Sequence, residues 1–259
     1  MVSLYLDAFK LHLKSQMQYR VSFFVSILGQ FIVSFTTFIG LIFLFTRFHA
    51  IGDFSYEEVL LCYAIMLMSF ALGECFGRGF DRFSTMIGNG EFDRMLVRPR
   101  YPIYQILLSN MDFSRMGRLL QALVVLIYTV MKINIVWTWD RGLTLIIMIV
   151  SGGILFGILF FLGAAISFFT IESLEVLNIF TDGGYEFGRY PFSIYGKSIL
   201  KLLTFCVPLA LVQYYPLLYI TGRETNIFYM FLPVFSMLFV VPCYLLWRLG
   251  LHKYRSTGS

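Results

Sequence analysis

Five long apolar runs, nearly free of charged side chains, decide what this chain can fold into. They cover residues 21–46, 59–77, 119–136, 142–171 and 227–247. A helix rises about 1.5 Å per residue, so about 20 apolar residues span the roughly 30 Å hydrocarbon core of a bilayer. The runs therefore predict five membrane-crossing helices, with Glu74 and Lys132 near the ends of two of them.

The composition excludes several classes of protein. Apolar residues make up 58% of the 259 residues and charged residues only 14%, whereas a soluble domain carries about 45–50% and about 25%. A soluble fold of this size needs a polar surface that so few charged residues cannot supply. A soluble enzyme, a nucleic-acid-binding protein and a disordered scaffold are therefore excluded. Because the chain has no internal repeat or linker, we expect residues 1–259 to form a single membrane domain.

A sixth crossing is expected between the fourth and the last run, and two alternatives exist for it. Residues 198–219 are apolar apart from Lys201 but contain Pro208 and Pro216. Residues 174–190 are broken by charges and glycines. Either the later stretch crosses, or the earlier one crosses and the later one dips into the outer leaflet and returns. Irregular backbone at membrane depth is tolerated only where protein or water shields it.

The distribution of basic residues predicts the orientation. Thirteen of the twenty Lys and Arg residues lie in 1–20, 78–118 and the segment from 248 onwards. The positive side of a membrane protein is usually cytoplasmic, so we expect both termini in the cytoplasm. Independently of this count, we expect a multi-pass protein of the cell (plasma) membrane of a bacterium. Lys197, Lys201 and Arg189 favour an inside location for the disputed segment and count against the re-entrant alternative.

Residues 2–20 have the pattern of an amphipathic helix. Leu6, Phe9, Leu13 and Met17 follow steps of three and four residues, and the basic residues fall largely elsewhere on the helix. A helix lying in the cytoplasmic interface fits this pattern. A plain helical extension of the first span is the alternative.

The loop between the second and third runs predicts a short helix with a docking surface. Glycines at 88 and 90 precede it, and Pro99 disfavours helix at the residue before it. Its acidic residues lie in the first turn and a basic residue at its end, as the helix dipole favours. The apolar residues form one knob that suits a partner's groove; packing on the chain's own spans is the alternative. The acids are Glu91 and Asp93, the basic residue is Arg98, and the knob is Phe92, Met95 and Leu96.

Two pairs of glycines indicate close helix packing. Gly73 and Gly77 are four residues apart, as are Gly153 and Gly157. Small residues on one helix face let backbones approach each other in lipid. The spacing does not distinguish contacts within the chain from a subunit interface.

Acidic residues in the disputed segment are candidates for a translocation path. Glu175, Asp182 and Glu186 share one face at helical geometry. An acidic side chain inside the membrane must face protein or water. An acidic face of this kind would suit a cavity for a cationic or amphiphilic cargo. The alternatives are a solvated cytoplasmic segment or an ion-gradient-driven carrier or channel that uses Asp182 and Glu186.

No catalytic, cofactor-binding or metal site is expected in this chain. The three histidines, His12, His49 and His252, are scattered, and no two of the four cysteines have a metal-binding spacing. The sequence Gly196-Lys197-Ser198 lacks the upstream glycine of a phosphate-binding loop, because Pro191 occupies that position.

The chain resembles the permease subunits of ABC-2-type transporters, in particular a branch of drug- and viologen-exporter-like six-span permeases that work in pairs. Two stretches carry the resemblance. One is Gly90-Glu91-Phe92-Asp93-Arg94-Met95-Leu96-Val97-Arg98-Pro99. The other runs from Tyr190-Pro191-Phe192-Ser193-Ile194-Tyr195 through Val207-Pro208-Leu209-Ala210 and Tyr214-Tyr215-Pro216 to Gly222.

The resemblance implies a transport subunit that is not itself an enzyme. The loop helix would be the coupling helix that contacts the ATPase through Glu91, Phe92, Asp93, Arg94, Met95, Leu96, Arg98 and Pro99. Residues 174–190 would be the fifth span, and the following stretch would form outer-leaflet re-entrant helices turned at Pro191, Pro208 and Pro216. Two ATPase subunits would bind ATP and Mg²⁺, and a second permease, identical or different, would complete an exporter of drugs or other amphiphiles.

Overall fold

The protein is almost entirely helical. Its structure, a computed structural model, describes residues 2–48, 50–109, 113–170 and 178–255. Within these ranges the only strands are β1 (Ala50–Ile51) and β2 (Phe54–Ser55), which form a small antiparallel hairpin. Its turn contains Gly52 with φ +60°, a backbone conformation that glycine adopts without steric cost.

Fourteen α-helices are described in these parts of the chain. They are α1 (Val2–Gln16), α2 (Arg20–Arg47), α3 (Tyr56–Gly77), α4 (Phe83–Gly88), α5 (Glu91–Leu96), α6 (Pro102–Ser109), α7 (Met116–Lys132), α8 (Trp139–Ser167), α9 (Asp182–Gly188), α10 (Lys197–Phe205), α11 (Leu209–Val212), α12 (Tyr214–Ile220), α13 (Phe228–Ser236) and α14 (Val240–Lys253). Short 3-10 turns lie at Met17–Tyr19, Arg78–Arg82, Phe113–Arg115, Phe192–Tyr195 and Met237–Phe239.

The long helices confirm the prediction of an all-α membrane protein. Four helical segments of the described chain are long and apolar enough to cross a bilayer: Phe9–Arg47, Tyr56–Gly88, Trp139–Ser167 and Phe228–Lys253. They cover most of four of the five apolar runs. The remaining run, 119–136, lies mostly in α7, which has 17 residues and ends at Lys132. At about 1.5 Å per residue, α7 is slightly shorter than the hydrocarbon core is thick.

Helix α1 packs against the loop between α3 and α7. The ring Nε2 of His12 lies 2.9 Å from the carbonyl oxygen of Leu108. The backbone N–H of Phe113 donates to Oε1 of Gln16 at 3.1 Å, and the rings of Phe9 and Phe113 meet edge to face at 4.7 Å. The predicted N-terminal helix is therefore present, and this packing fixes its position. Its location in the membrane interface stays a prediction.

Helix α3 forms the centre of the bundle. Every residue from 59 to 71 is buried. A helix that is apolar on all sides must be surrounded by other elements, and α7 and α8 supply most of that surrounding. Helix α2 is the opposite case, because only Ser34 and Leu41 are buried along its length. Most of its apolar side chains are therefore exposed to the surroundings of the chain.

The four glycines predicted to mediate helix packing lie at the crossing of α3 and α8. A Cβ atom added to Gly73 would lie 2.5 Å from Cβ of Phe156, and one added to Gly77 would lie 2.9 Å from Cα of Gly157. A Cβ atom at Gly153 would lie 2.9 Å from Cβ of Leu72. The glycines thus make a contact within the chain, which the spacing alone did not establish.

The disputed apolar stretch is not one straight helix. Its two parts, Lys197–Phe205 and Leu209–Ile220, meet at an angle of 88°. Pro208 lies at this bend, where its missing N–H and fixed φ interrupt a helix.

Both ends of the bent stretch lie near the β hairpin and the start of α8. Ile194 is the nearest side chain to Gly52, with 3.7 Å between its Cγ2 and a Cβ built on that glycine. At the other end, Tyr219 donates a hydrogen bond to Asp140 at 2.6 Å. The middle lies deeper in the bundle, because Cγ1 of Val212 would be 3.1 Å from a Cβ built on Gly152.

The described part of the 174–190 segment runs alongside α3. Glu175 lies outside the described residues. The ring of Tyr185 stacks on Phe70 with 4.8 Å between centroids, and a Cβ atom at Gly188 would clash with Met66. As residue numbers rise along α9, the contacts on α3 move to lower numbers, so the two helices are antiparallel.

Candidate functional site

The loop between α3 and α7 carries the short helix predicted from its glycines and Pro99. Helix α5 begins after Gly90, which has φ +67°, and ends at Leu96. The backbone N–H of Arg98 still donates to the carbonyl of Met95 at 3.3 Å. Arg98 and Pro99 therefore lie just beyond the helix.

Phe92 is not part of an exposed knob. Its side chain is fully buried and lies edge to face against Phe83 at 4.9 Å and Tyr254 at 5.1 Å. Phe168 at 5.6 Å and Trp247 at 6.4 Å complete the contact. We call these five residues the aromatic box. Of the two alternatives, packing on the chain's own spans applies to Phe92. The sequence did not show that the ends of α8 and α14 cover this face of α5.

The exposed part of the loop combines apolar and basic side chains. Leu96 is 41% exposed and Val97 86% exposed, and the side chains of Arg94, Arg98, Pro99 and Arg100 are also exposed. We call residues 94 and 96–100 the tip. Among the other predicted coupling residues, Glu91, Asp93 and Met95 are only partly exposed. Sequence reasoning did not single out Val97, which lies within the motif, or Arg100, which follows it directly.

Hydrogen bonds hold both ends of the tip. The side-chain amide of Gln105 donates to the carbonyl of Met95 at 2.9 Å and to that of Arg100 at 3.0 Å. The hydroxyl of Tyr254 donates to Oδ1 of Asp93 at 3.0 Å. Burial, together with this hydrogen bond, raises the pKa of Tyr254 to about 12, so the hydroxyl keeps its proton at neutral pH and continues to donate.

A buried cluster of charges lies beside this loop, at the end of α3. Glu74 is 1% exposed and forms ion pairs with three arginines. Nη1 of Arg118 lies 2.5 Å from Oε2 and Nη1 of Arg115 lies 3.4 Å from Oε1, and Arg78 also contacts Oε1. Gln30 accepts from Arg118 at 3.2 Å. This Glu74 cluster links α2, α3 and α7, and a buried carboxylate is stable only with such partners.

Aromatic rings connect the Glu74 cluster to α9. The guanidinium of Arg118 lies over the ring of Phe70 at 5.4 Å, and Tyr185 stacks on the same ring. Arg189 lies over Tyr185 at 4.8 Å and forms an ion pair with Glu186. The sequence gave no sign of this row of contacts, because its members are up to 119 residues apart and only the fold brings them together.

The candidate path residues are only partly described. Asp182 and Glu186 are both exposed, and Glu186 contacts Arg189 within the same helix. Glu186 is therefore a paired charge.

The three prolines of the bent stretch have different positions. Pro191 precedes the 3-10 turn Phe192–Tyr195, and Pro208 precedes α11. Pro216 lies inside the first turn of α12, where proline is tolerated. The break before α12 is at Gln213, whose side-chain amide donates to the carbonyls of Gly188 at 3.3 Å and Tyr190 at 3.2 Å. Pro216 thus lies within a helix, and its predicted part in a re-entrant turn stays a prediction.

A comparison with known families identifies the kind of protein. The family model for the ABC-2 family transporter protein matches residues 31–258, which is most of the chain. The chain belongs to the ABC-2 transporter family. It is therefore a membrane permease component of an ABC transporter, as the resemblance implied. No curated protein and no solved structure matches the chain.

The described residues of the permease contain no metal-binding cluster, meaning three or more His, Cys, Asp or Glu side chains placed to hold an ion. The ring of His252 contacts the carbonyl of Arg248 at 2.7 Å, so both described histidines lie against backbone oxygens. The four cysteines form no disulfide with one another, and Cys62 and Cys243 are buried.

Proposed function

We propose that this permease is the membrane subunit of an ATP-driven exporter and that its tip receives the motion of a separate ATPase subunit. The observation that carries the proposal is a contrast in burial: Leu96 at the end of α5 and Val97 just after it are exposed, while Phe92 in the same helix is fully buried. A partner that binds the tip would contact a helix whose other side, through Phe92, is packed against the transmembrane bundle. Two ATPase subunits, which hold ATP and Mg²⁺, and a second permease subunit, identical or different, would complete the transporter in the lipid bilayer.

The aromatic box provides a route from the tip into the membrane. Phe168 follows α8, and Trp247 belongs to α14. Their rings are 4.8 Å apart and both touch Phe92. Packed side chains transmit displacement because cores have little free volume. A push on α5 would therefore move the ends of α8 and α14 together.

The Glu74 cluster provides a second route. Arg115 and Arg118 lie at the start of α7, and Glu74 lies at the end of α3. Displacing an arginine would take one of its charge partners from a buried carboxylate, which is costly. The ends of α3 and α7 would therefore move as one unit.

For the topology we propose six crossings, with the tip and both termini in the cytoplasm of a bacterial cell. The crossings are α2, α3, α7, α8, residues 174–190 and Phe228–Lys253. The antiparallel contact between α9 and α3 supports the fifth crossing. The basic residues of the α3–α7 loop support the orientation.

We further propose that Lys197–Ile220 is a re-entrant hairpin on the outer side. Both of its ends lie near the hairpin β1–β2 and the start of α8, while Val212 lies deeper, against Gly152. The exposed positions of Lys197 and Lys201 let their long side chains reach an aqueous interface on that side. Shielding by α3, α8 and α9 would satisfy the requirement for irregular backbone inside a membrane.

The cargo path would use the acidic face of the fifth crossing. Glu175, Asp182 and Glu186 remain its candidate residues, and an acidic lining favours a cationic or amphiphilic cargo. An ion-gradient-driven carrier using Asp182 and Glu186 is the competing function, but the ion pair between Glu186 and Arg189 makes one of its two acids less available to a cation.

The experiment compares ATP hydrolysis by the ATPase subunit in proteoliposomes with and without this permease. Leu96→Asp at the tip should abolish the permease-dependent part of the rate. Val136→Asp is the matched control, because Val136 is also highly exposed but lies between α7 and α8. An unchanged rate with Leu96→Asp, or transport by the permease alone under an ion gradient, would overturn the proposal.

A further inference from the structure

A pocket with basic residues lies along α1, on the face opposite to the one that packs against the α3–α7 loop. The packed face carries Phe9 and Gln16. The pocket is lined by Asp7, Lys10 and Lys14, which follow one another at steps of three and four residues and therefore share a face of the helix. Its volume is about 950 Å³, within the range of about 300–1,000 Å³ that is usual for ligand sites. We call it the basic pocket.

The basic pocket carries an excess of positive charge. Lys10, Lys14 and Arg20 line it, and Asp7 is the one acidic residue of the lining. The side chains of all four residues are exposed. Within the described ranges, none of the three basic residues forms an ion pair. The pocket therefore offers three cationic groups to a ligand.

The basic pocket adjoins the apolar surface of α2. Arg20 is the first residue of α2, and Val21, Phe24 and Leu28 in the next two turns are between 57% and 79% exposed. Tyr19, directly before Arg20, is 72% exposed, and tyrosine is enriched at membrane–water interfaces. With α2 in the bilayer, its exposed apolar side chains contact acyl chains, and the basic pocket lies at the level of the lipid head groups.

We propose that the basic pocket binds the head group of an anionic phospholipid, whose acyl chains lie along the exposed apolar side chains of α2. Lys10, Lys14 and Arg20 bind the phosphate of the head group. Basic residues next to a transmembrane helix attract anionic lipids, by about 1 kcal/mol for each Lys or Arg near the surface. The site rests on α2 spanning the bilayer and does not depend on the tip, the ATPase or the direction of transport.

The surroundings of the cations favour a lipid over an acidic protein partner. Leu11, which is 67% exposed, and Met17, which is 39% exposed, also line the pocket. The exposed apolar surface continues from there onto α2 without a break at Val21. A phospholipid has an anionic group and hydrocarbon chains in this same order, so it covers both parts of the surface at once.

The test measures lipid binding by the purified full-length chain in detergent micelles. Dioleoyl phosphatidylglycerol or dioleoyl phosphatidylcholine is added to separate samples, and native mass spectrometry gives the dissociation constant of the first bound lipid. Because the two lipids have the same acyl chains, the ratio of the two constants reports the head group. We expect the wild type to prefer phosphatidylglycerol. Replacing Lys10, Lys14 and Arg20 by Gln should lower this preference on the order of fivefold for each charge removed.

The matched control replaces three basic residues outside the pocket by Gln. Arg47 ends α2, Lys132 ends α7 and Lys197 begins α10, and all three are exposed. This variant loses the same net charge as the pocket variant, so it separates a local site from a general attraction between the chain and anionic lipid. Its preference for phosphatidylglycerol should equal that of the wild type.

Asp7→Asn provides a change in the opposite direction. It removes the one negative charge of the lining, so the preference for phosphatidylglycerol should rise by a similar factor. A gain in binding cannot come from loss of folded protein, which a fall in binding alone would not exclude.

Three results would overturn the proposal. The first is a pocket variant that prefers phosphatidylglycerol as strongly as the wild type, and the second is an equal fall in the pocket and control variants. The third is a wild-type chain that binds the two phospholipids equally, which would assign the three cations to an acidic protein surface instead.

Discussion

Within the single short helix α5, side chains four residues apart have opposite environments. Phe92 is enclosed by the other four rings of the aromatic box, and Leu96 is exposed at the tip. Both were expected on one knob, because residues at i and i+4 lie on the same side of a helix. The sequence predicted the helix and its apolar residues. It did not predict its rotation, which depends on Phe168 and Trp247, 76 and 155 residues further along the chain.

The contrast between these side chains gives a prediction about stability. Phe92→Ala should lower the free energy of unfolding by about 3–5 kcal/mol, because it removes a large buried ring. Leu96→Ala should change it by less than about 0.5 kcal/mol, because surface substitutions have small effects. Thermal unfolding of the purified permease in detergent measures both. Equal losses of stability would show that Leu96 is buried as well.

The Glu74 cluster gives a second prediction at the residue scale. Glu74→Gln leaves three arginines around a neutral side chain, and breaking a buried ion pair costs about 3–5 kcal/mol. We expect a large drop in the unfolding temperature at neutral pH. Glu224→Gln is the control, because Glu224 is exposed and its replacement should have no measurable effect. A Glu74→Gln protein as stable as the wild type would contradict the paired state of this carboxylate.

At the scale of elements, the apolar runs were sufficient to predict most long helices. Composition determines that such runs lie in lipid, and a helix is how a single segment satisfies its backbone there. The bent stretch 197–220 is different, since prolines mark a break but do not give its direction. The 88° bend depends on packing of Val212 near Gly152 and on the bonds of Gln213 to the end of α9, neither of which is visible in the sequence.

The re-entrant arrangement makes a prediction about accessibility. In a background without native cysteines, Lys197→Cys and Glu224→Cys should react with a membrane-impermeant thiol reagent added to intact cells, because both lie on the proposed outer side. Arg98→Cys at the tip should react only after the membrane is permeabilised. If Lys197→Cys behaves like Arg98→Cys, the stretch 198–219 crosses the membrane and the hairpin does not exist.

At the scale of the whole molecule, the fold brings the tip together with helix ends that are far from it in the sequence. The tip lies in the loop after α3, and the box that anchors it uses the ends of α8 and α14. The family could be predicted from the motif of residues 90–99 and the prolines that follow Tyr190. The internal linkage could not be predicted, because it needs contacts such as that between Asp93 and Tyr254, which are 161 residues apart.

Photocrosslinking from the tip tests the central claim most directly. A photoreactive phenylalanine analogue replaces either Val97, which is 86% exposed at the tip, or Val136, which is 76% exposed between α7 and α8. After irradiation of membranes that contain the assembled transporter, we predict a covalent adduct with an ATP-binding-cassette ATPase from position 97 and none from position 136. An intact transporter that gives no ATPase adduct from position 97, or gives one from position 136, would contradict the account.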